Sequence, residues 1–406
     1  MTSDPLQWLL GLELLGMKFG LENMHRLTAQ LDHPERHFKS IHIAGTNGKG
    51  SVTAMVEHAL HAAGYASARY TSPHLERLEE RYVIRGQPVD TAALRETVGT
   101  VRQAVETIQL QDAEFSPTFF ECATASAFAL FRRLRVEIAV VEVGLGGRLD
   151  ATNVIDPMVT AITSIDYDHE ALLGTTLQAI TGEKAGIIKH AVPVVIGRLA
   201  PESEAVVIET AARRQAPVTV AAAIPATWEN VRPALKGAHQ RANVAVAIAV
   251  LERVRELGLP VPESAIRAGV EEVSWPGRLE HVAHEGGSYL LDAAHNPAGA
   301  QALASYLSEI DWSDAALVFG AMHDKKVIGM LGYLLPAVSS IVCTAAPTPR
   351  TESPERLATI ARDLSSVPVH VEPDPARALA LARRLSPRVV IAGSIFLLGA
   401  VRGILR

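Results

Sequence analysis

Cysteine is almost missing from this chain of 406 residues: only Cys122 and Cys343 occur, far apart and without metal-ligand spacing. Their scarcity excludes a disulfide framework and a cysteine zinc site and fits a reducing compartment, with both thiols expected as buried bystanders. Positive charge is not in excess either. A formal net charge of −6 and the lack of any Lys/Arg run exclude nucleic-acid binding through a broad basic face. Long apolar runs are also lacking. The longest uncharged stretch near the C-terminus, Val389 to Val401, falls short of a bilayer span and contains Gly393, Ser394 and Gly399, so no membrane partner is expected. Met1-Thr2-Ser3-Asp4-Pro5 has no basic region leading into an apolar core, so no secretory signal is expected and the cytoplasm is the expected location.

What is present is apolar residue in quantity, 48% of the chain, over a length sufficient for two domains. From Phe38 to about Ile196, strand-like runs alternate with helical ones, the pattern of a parallel sheet covered by helices. After Gly277 the pattern restarts, with strand-like runs at Tyr289–Leu291, Ala316–Phe319, Ile341–Cys343, Val367–Val371 and Val389–Ile391. Helical segments such as Pro297–Leu307, Ser353–Leu364 and Pro375–Leu385 alternate with them. Pro and Gly at Trp275-Pro276-Gly277 punctuate the two series. The expected division is residues 1–275, a linker at 276–284, and a smaller α/β domain at 285–406.

Ala44-Gly45-Thr46-Asn47-Gly48-Lys49-Gly50-Ser51 joins the apolar run Phe38 to Ile43 to a stretch whose apolar residues Val52, Met55, Val56, Ala59, Leu60 and Ala63 recur at helical spacing. A glycine-rich turn between strand and helix aims backbone N–H groups inward at phosphate. Lys49 adds a point charge, and Ser51 offers a hydroxyl to Mg²⁺. Ile43 stands where the usual phosphate-loop pattern has its first glycine, and Gly50 is inserted between Lys49 and Ser51. On the loop alone, a simple tight connection is the competing reading.

Glu142 closes the strand-like run Ile138–Val143 and is followed by Gly144-Leu145-Gly146-Gly147-Arg148-Leu149-Asp150-Ala151-Thr152-Asn153. A carboxylate at the C-terminal end of a parallel strand is placed to hold Mg²⁺ in an ATPase. The run Val159 to Ile165 delivers Asp166, Asp168 and His169 to the same edge, and Lys184 follows within Gly182–Lys189. Taken singly, His169 reads as a partly buried hydrogen-bonding residue and Lys184 as a surface cation. The charges Glu79-Glu80-Arg81 after Tyr70–Leu75 read as a solvated face, and Asn296 in Leu291–Pro297 as a helix cap.

Together these segments resemble the folylpolyglutamate synthase/dihydrofolate synthase family, a branch of the Mur ligases whose phosphate loop carries the extra glycine. The resemblance rests on Gly45–Ser51, Thr71-Ser72-Pro73-His74, the very specific run Glu142–Asn153, and Glu183-Lys184-Ala185-Gly186-Ile187, and extends from Gly20 to Phe396. It implies a P-loop parallel-sheet ATPase domain followed by a Rossmann-like glutamate-ligase domain. The implied reaction is ATP-dependent addition of L-glutamate to dihydropteroate and to the γ-carboxyl of reduced folates through an acyl phosphate. Polyglutamylation alone, or another Mur-type amino-acid ligase, stays as an alternative, and a P-loop switch protein is a reading from another class.

Carried over by position, the resemblance implies an ATP site of Thr46, Asn47, Gly48, Lys49, Gly50, Ser51, Asn243, Arg278, Asp292 and His295. It implies two Mg²⁺ ions at Ser51, Ser72, Glu142, His169 and a carbamylated Lys184, with Lys49, His169 and Lys184 catalytic. Thr118, Phe119, Phe120, Glu121, Leu149, Asp150 and Ala151 match the folate-binding segments. The implied partners are small molecules acting on a monomer. Lys326 stands where the family has an acidic residue, and Glu76 and Glu79 add negative charge after His74.

Overall fold

The computed structural model describes residues 4–16 and 18–406. Met1, Thr2 and Ser3, on which part of the leader reading falls, lie outside it. The chain divides into two compact units, residues 1–233 with 242–273, and residues 234–241 with 274–406.

In the first unit, eight described strands form one sheet. They are β1 (Lys39–Ala44), β2 (Ser67–Tyr70), β3 (Tyr82–Ile84), β4 (Gln87–Pro88), β5 (Ile138–Glu142), β6 (Val159–Ile162), β7 (Val194–Ile196) and β8 (Val218–Val220). Their order is β4-β3-β2-β5-β1-β6-β7-β8. The six strands from β2 to β8 run parallel, whereas β3 and β4 add an antiparallel edge that the alternating sequence pattern does not announce. Every residue of β5 is buried, as expected of a central strand covered on both faces. The helix Phe119–Arg133 packs Phe128 and Phe131 into a core with Tyr70 and Tyr82, and the Phe38 ring meets Phe131 edge-on at 5.5 Å. Cys122 and Cys343 are buried free thiols, as expected.

In the second unit the six described strands are β9 (Glu280–His284), β10 (Gly287–Leu291), β11 (Ala316–Phe319), β12 (Ser340–Cys343), β13 (Val369–Val371) and β14 (Arg388–Ala392). Their order is β13-β12-β11-β14-β10-β9, parallel except for β9. Three helices of this unit begin alike. Asn296, Ser353 and Asp374 accept a backbone N–H of the first turn, and Pro297, Pro354 and Pro375 follow them. A polar cap followed by a residue with fixed φ and no N–H to satisfy starts a helix sharply. The expected linker at 276–284 is corrected here. Residues 280–284 pair antiparallel with β10, and the Arg402 guanidinium grips the Glu280 carboxylate at 2.9–3.1 Å. The half-buried, polar sequence of β9 hides it from an apolar pattern.

Candidate active site

The C-terminal edge of the first sheet gathers the residues singled out above. β1 lies between β5 and β6, with Ile43 opposite Glu142 and Ala44 opposite Ile162, so the loop after β1 has Glu142 on one side and the exit of β6 on the other. The loop is laced to that exit. The Thr46 N–H donates to the Ser164 carbonyl at 2.7 Å, Thr46 Oγ1 donates to Asp166 O, and the Thr163 hydroxyl donates to Asn47 O at 2.6 Å. The helix Lys49–Ala62 starts from Gly48 without a side-chain cap. The first N–H groups of such a helix form an anion-binding end. Gly48 has φ +86°, and a Cβ there would lie 2.2 Å from Asn243 Oδ1, so the Asn243 side chain lies directly against the loop. The inserted Gly50 falls in the helix's first turn and carries Ser51 with it, nearly fully buried.

Two lysines converge on one acceptor. Lys49 Nζ and Lys184 Nζ each donate to the Gly45 carbonyl at 3.0 Å, and Lys49 also reaches Thr46 O. Lys184 is buried at the end of the helix Leu177–Ala185. Burial first, and Lys49 second, push its ammonium pKa down to about 7, while Asp168 and Asp150 oppose the shift. The surface-cation reading of Lys184 is thereby corrected. Its helix is docked by the loop after β5: a Cβ on Gly147 would strike the Glu183 and Lys184 carbonyls at 2.9 Å, and the Arg148 N–H donates to Glu183 O at 2.7 Å.

Glu142 is buried and accepts from the Ser72 N–H at 3.3 Å, which ties the segment after β2 to the end of β5. His169 has a left-handed backbone (φ +52°) and a partly exposed ring whose Nε2 stands 3.8 Å from Asp168 Oδ1. Ser51, Ser72 and Glu142 are hard oxygen donors suited to Mg²⁺, and His169 adds an imidazole. No three His, Cys, Asp or Glu side chains form a preformed metal cage among the described residues. That composition fits an ion which keeps waters and shares substrate phosphates rather than an all-protein cage.

The residues expected on the folate side are bound into local structure. Thr118 and Glu121 form a capping box: Glu121 Oε2 accepts from the Thr118 N–H at 2.7 Å, and Thr118 Oγ1 accepts from the Glu121 N–H. Phe120 stacks on Tyr70 with ring centroids 6.1 Å apart and lies against Gly144. Asp150 is fully enclosed and caps the turn Ala151–Val154, accepting from the N–H groups of Leu145 and Thr152 and from the Thr152 hydroxyl. Burial raises its carboxyl pKa, and these hydrogen bonds oppose the rise. Leu149 is partly buried and Ala151 buried beside it. Behind Asp150, His42 Nε2 meets Thr152 Oγ1 at 2.8 Å. The Thr152 proton goes to Asp150, so His42 must be the donor to Thr152, and its buried Nδ1 has no partner.

Glu79-Glu80-Arg81 is not the solvated face the sequence suggested. Glu79 and Arg81 are buried, and Glu79 accepts from the Thr91 hydroxyl at 2.5 Å and pairs with Arg77 at 3.3 Å. The Glu80 carboxylate accepts the backbone N–H groups of Leu75, Glu76 and Arg77. Arg81 Nε donates to His74 Nδ1 at 2.9 Å. Burial first, then the Arg81 charge, lower the His74 pKa to about 4.

The second unit holds its own cluster. Asp292, at the end of β10, accepts from the N–H groups of Leu279 and Ala294 at 2.9 Å each. Burial raises its carboxyl pKa, while Arg278, these N–H groups and His239 pull it back. His295 Nδ1 lies 2.8 Å from Ala293 O. Lys326 is exposed ahead of the helix Val327–Leu334.

A phosphate-binding strand-loop-helix with paired lysines, followed by a second α/β unit, defines a Mur-type ATP-dependent ligase, and residues 277–395 match the family model described as Mur ligase, glutamate ligase domain. The chain is 34% identical over 423 residues to the dihydrofolate synthase/folylpolyglutamate synthase of Bacillus subtilis, covering 98% of both chains. It is 34% identical to the Escherichia coli protein of the same description over 88% of this chain and 85% of that one. A solved structure of Mycobacterium tuberculosis folylpolyglutamate synthase complexed with ADP superposes with TM-score 0.91 at 34% identity, covering 99% of each chain. E. coli FolC in complex with DHPP and ADP does so with TM-score 0.88 at 30% identity, over 99% of this chain and 98% of that one. The chain belongs to the folylpolyglutamate synthase/dihydrofolate synthase family.

Proposed function

We propose that this protein joins L-glutamate to dihydropteroate, forming dihydrofolate, and to the γ-carboxyl of reduced folates, with ATP as the driving substrate. The observation that carries the reading is the pairing of Lys49 and Lys184 on the Gly45 carbonyl, inside a phosphate loop flanked by Glu142. A carboxylate is a poor acyl donor. Its oxygen attacks the γ-phosphorus of ATP, releasing ADP and leaving an acyl phosphate. The α-amine of glutamate then attacks the acyl carbon, the C–O bond breaks, and phosphate departs. The protein's part is positioning and charge neutralisation. Thr46 to Ser51 cradle the phosphates, Lys49 balances their charge, and Asn243, whose side chain lies against Gly48, adds a nucleotide contact. Arg278, Asp292 and His295 are the nucleotide contacts assigned to the second unit.

Ser51, Ser72, Glu142, His169 and Lys184 are the residues that would hold two Mg²⁺ ions, which when bound shield phosphate charge. A buried amine with a depressed pKa is the form that captures CO₂, and carbamylation would turn Lys184 from a cation into an oxygen ligand. Thr118–Glu121 and Leu149–Ala151 form the folate side. The first unit carries the phosphate loop and the folate side, and the second unit carries the glutamate-ligase part. No described helix is long and apolar enough to cross a membrane, and we assign the working form as a cytoplasmic monomer. Purified protein with ATP, Mg²⁺ and labelled glutamate, run in parallel with dihydropteroate and tetrahydrofolate, tests the function. Labelled product from neither substrate rejects it, and product from tetrahydrofolate alone limits it to polyglutamylation.

A further inference from the structure

Arg81 is a buried cation in search of an anion. The residue is only 6% exposed. Its Nε is spent on His74 Nδ1 at 2.9 Å, and its guanidinium carbon lies 5.0 Å from the centre of the Phe119 ring. No carboxylate pairs with it among the described residues. Glu79, two residues away, is taken by Arg77 and Thr91, and Glu80 by three backbone N–H groups. Desolvating a guanidinium without a counter-charge is costly, and a stack on an aromatic face with one imidazole acceptor offsets only part of it.

Its place in the fold says which anion is missing. The Arg81 carbonyl accepts the Thr71 N–H at 3.1 Å, so the residue abuts the Thr71-Ser72-Pro73-His74 segment whose Ser72 N–H is bonded to Glu142. On its other side is Phe119, the first residue of the helix Phe119–Arg133. Because His74 Nδ1 accepts from a permanent cation, the ring's proton sits on Nε2, which leaves an N–H donor on the far side of the imidazole. The Arg81 Nη groups make no hydrogen bond to the protein among the described residues, and such a fork matches a carboxylate.

We propose that Arg81, steadied by His74 and Phe119, binds a carboxylate of the folate substrate. The proposal rests on the folate-ligase reading above. Two carboxylates share this chemistry: the aryl carboxylate of dihydropteroate, which is the reacting group, and the α-carboxylate on the terminal glutamate of a reduced folate, which must be held while the γ-carboxyl reacts.

The test is steady-state kinetics of the wild-type protein, Arg81→Gln and Arg81→Lys with dihydropteroate and, separately, tetrahydrofolate. It is joined by inhibition by a pteroate analogue whose carboxylate is replaced by a carboxamide. Arg81→Gln is expected to raise the folate KM about tenfold or more, as loss of a charge-assisted hydrogen bond does, with the KM for ATP within about twofold of wild type. The carboxamide analogue should bind wild type and Arg81→Gln alike, and Arg81→Lys should recover part of the folate affinity. A rise with both substrates assigns the reacting carboxylate, and a rise with tetrahydrofolate alone assigns the α-carboxylate. Unchanged folate KM in both variants, or equal weakening of carboxylate and carboxamide ligands, overturns the proposal. If Arg81→Gln does not fold, the Arg81→Lys kinetics and the carboxamide comparison with it decide. Absence of turnover by wild type with either folate rejects the ligase reading itself, a different outcome from normal turnover with indifferent Arg81 variants.

Discussion

Lys49 and Lys184 lie 135 positions apart in the chain yet donate to the same Gly45 carbonyl oxygen, each at 3.0 Å. One acceptor therefore holds two amines that repel each other whenever both are charged, and that repulsion lowers the Lys184 pKa after burial. Lys184→Ala is expected to lower turnover about a hundredfold or more, in the range or beyond that of lost metal-site support. Its thermal midpoint should stay within a few degrees of wild type, since the ammonium is held unfavourably. Intact mass of protein kept in bicarbonate should show one added CO₂ in wild type and none in the variant.

Gly48→Ala is expected to disable nucleotide binding more than folding. The new methyl meets Asn243 Oδ1 at 2.2 Å in a backbone with φ +86°, and strain of this kind costs about 1–3 kcal/mol. Because it falls on the phosphate loop, calorimetry with ADP should show affinity reduced at least tenfold. An unaltered ADP affinity would mean that Asn243 and the loop move freely.

The imidazole of His42 sets a pH dependence of stability. Burial first, then Lys189, push its pKa down to about 3 from an ordinary 6.5. Between those values the unfolded chain takes up a proton that the native protein refuses, so stability falls as pH drops from 6.5 towards 3. The slope from this group is at most about 1.4 kcal/mol per pH unit. His42→Leu removes that slope, so the stability of wild type minus that of the variant, from urea unfolding at pH 7, 5.5 and 4.5, should decrease with falling pH. A constant difference rejects the assignment.

Thr118 and Glu121 carry a structural duty that can be separated from any duty towards folate. Thr118→Ala should lose about 1 kcal/mol through the cap, whereas Thr118→Ser should lose less than about 0.5 kcal/mol. Glu121→Ala also abandons Asn23 Nδ2, which reaches the same carboxylate at 3.2 Å, and should cost about 2–3 kcal/mol. A raised folate KM in the fully stable Thr118→Ser protein would show that the threonine methyl touches substrate.

Much of this architecture is visible in the residues. The strand-loop-helix around Gly45–Ser51 and the burial of β5 follow from apolar spacing, as do the three proline-started helices of the second unit. The short hairpin edge β3–β4 and the strand β9 do not, because β3 is apolar and mostly buried but only three residues long, β4 is two exposed residues, and β9 is half-buried and polar. Site residues divide in the same way. Lys49 and Ser51 announce themselves by motif, but Asn243 reaches Gly48 from 195 positions away, and only the resemblance pointed to it. Arg81 looked like one charge in a solvated run. Its burial depends on the turn Leu78–Arg81 and on a phenylalanine far along the chain.

Glu80 gathers three consecutive backbone N–H groups, those of Leu75, Glu76 and Arg77, on one carboxylate. The path of that loop is thus written at position 80 rather than in the loop's own side chains. The backbone donors at 75, 76 and 77 survive substitution of their side chains, whereas a residue at 80 that is shorter or lacks two acceptor oxygens releases them. The segment beside Arg81 is therefore a place where the surface offered to a substrate can vary on a fixed frame.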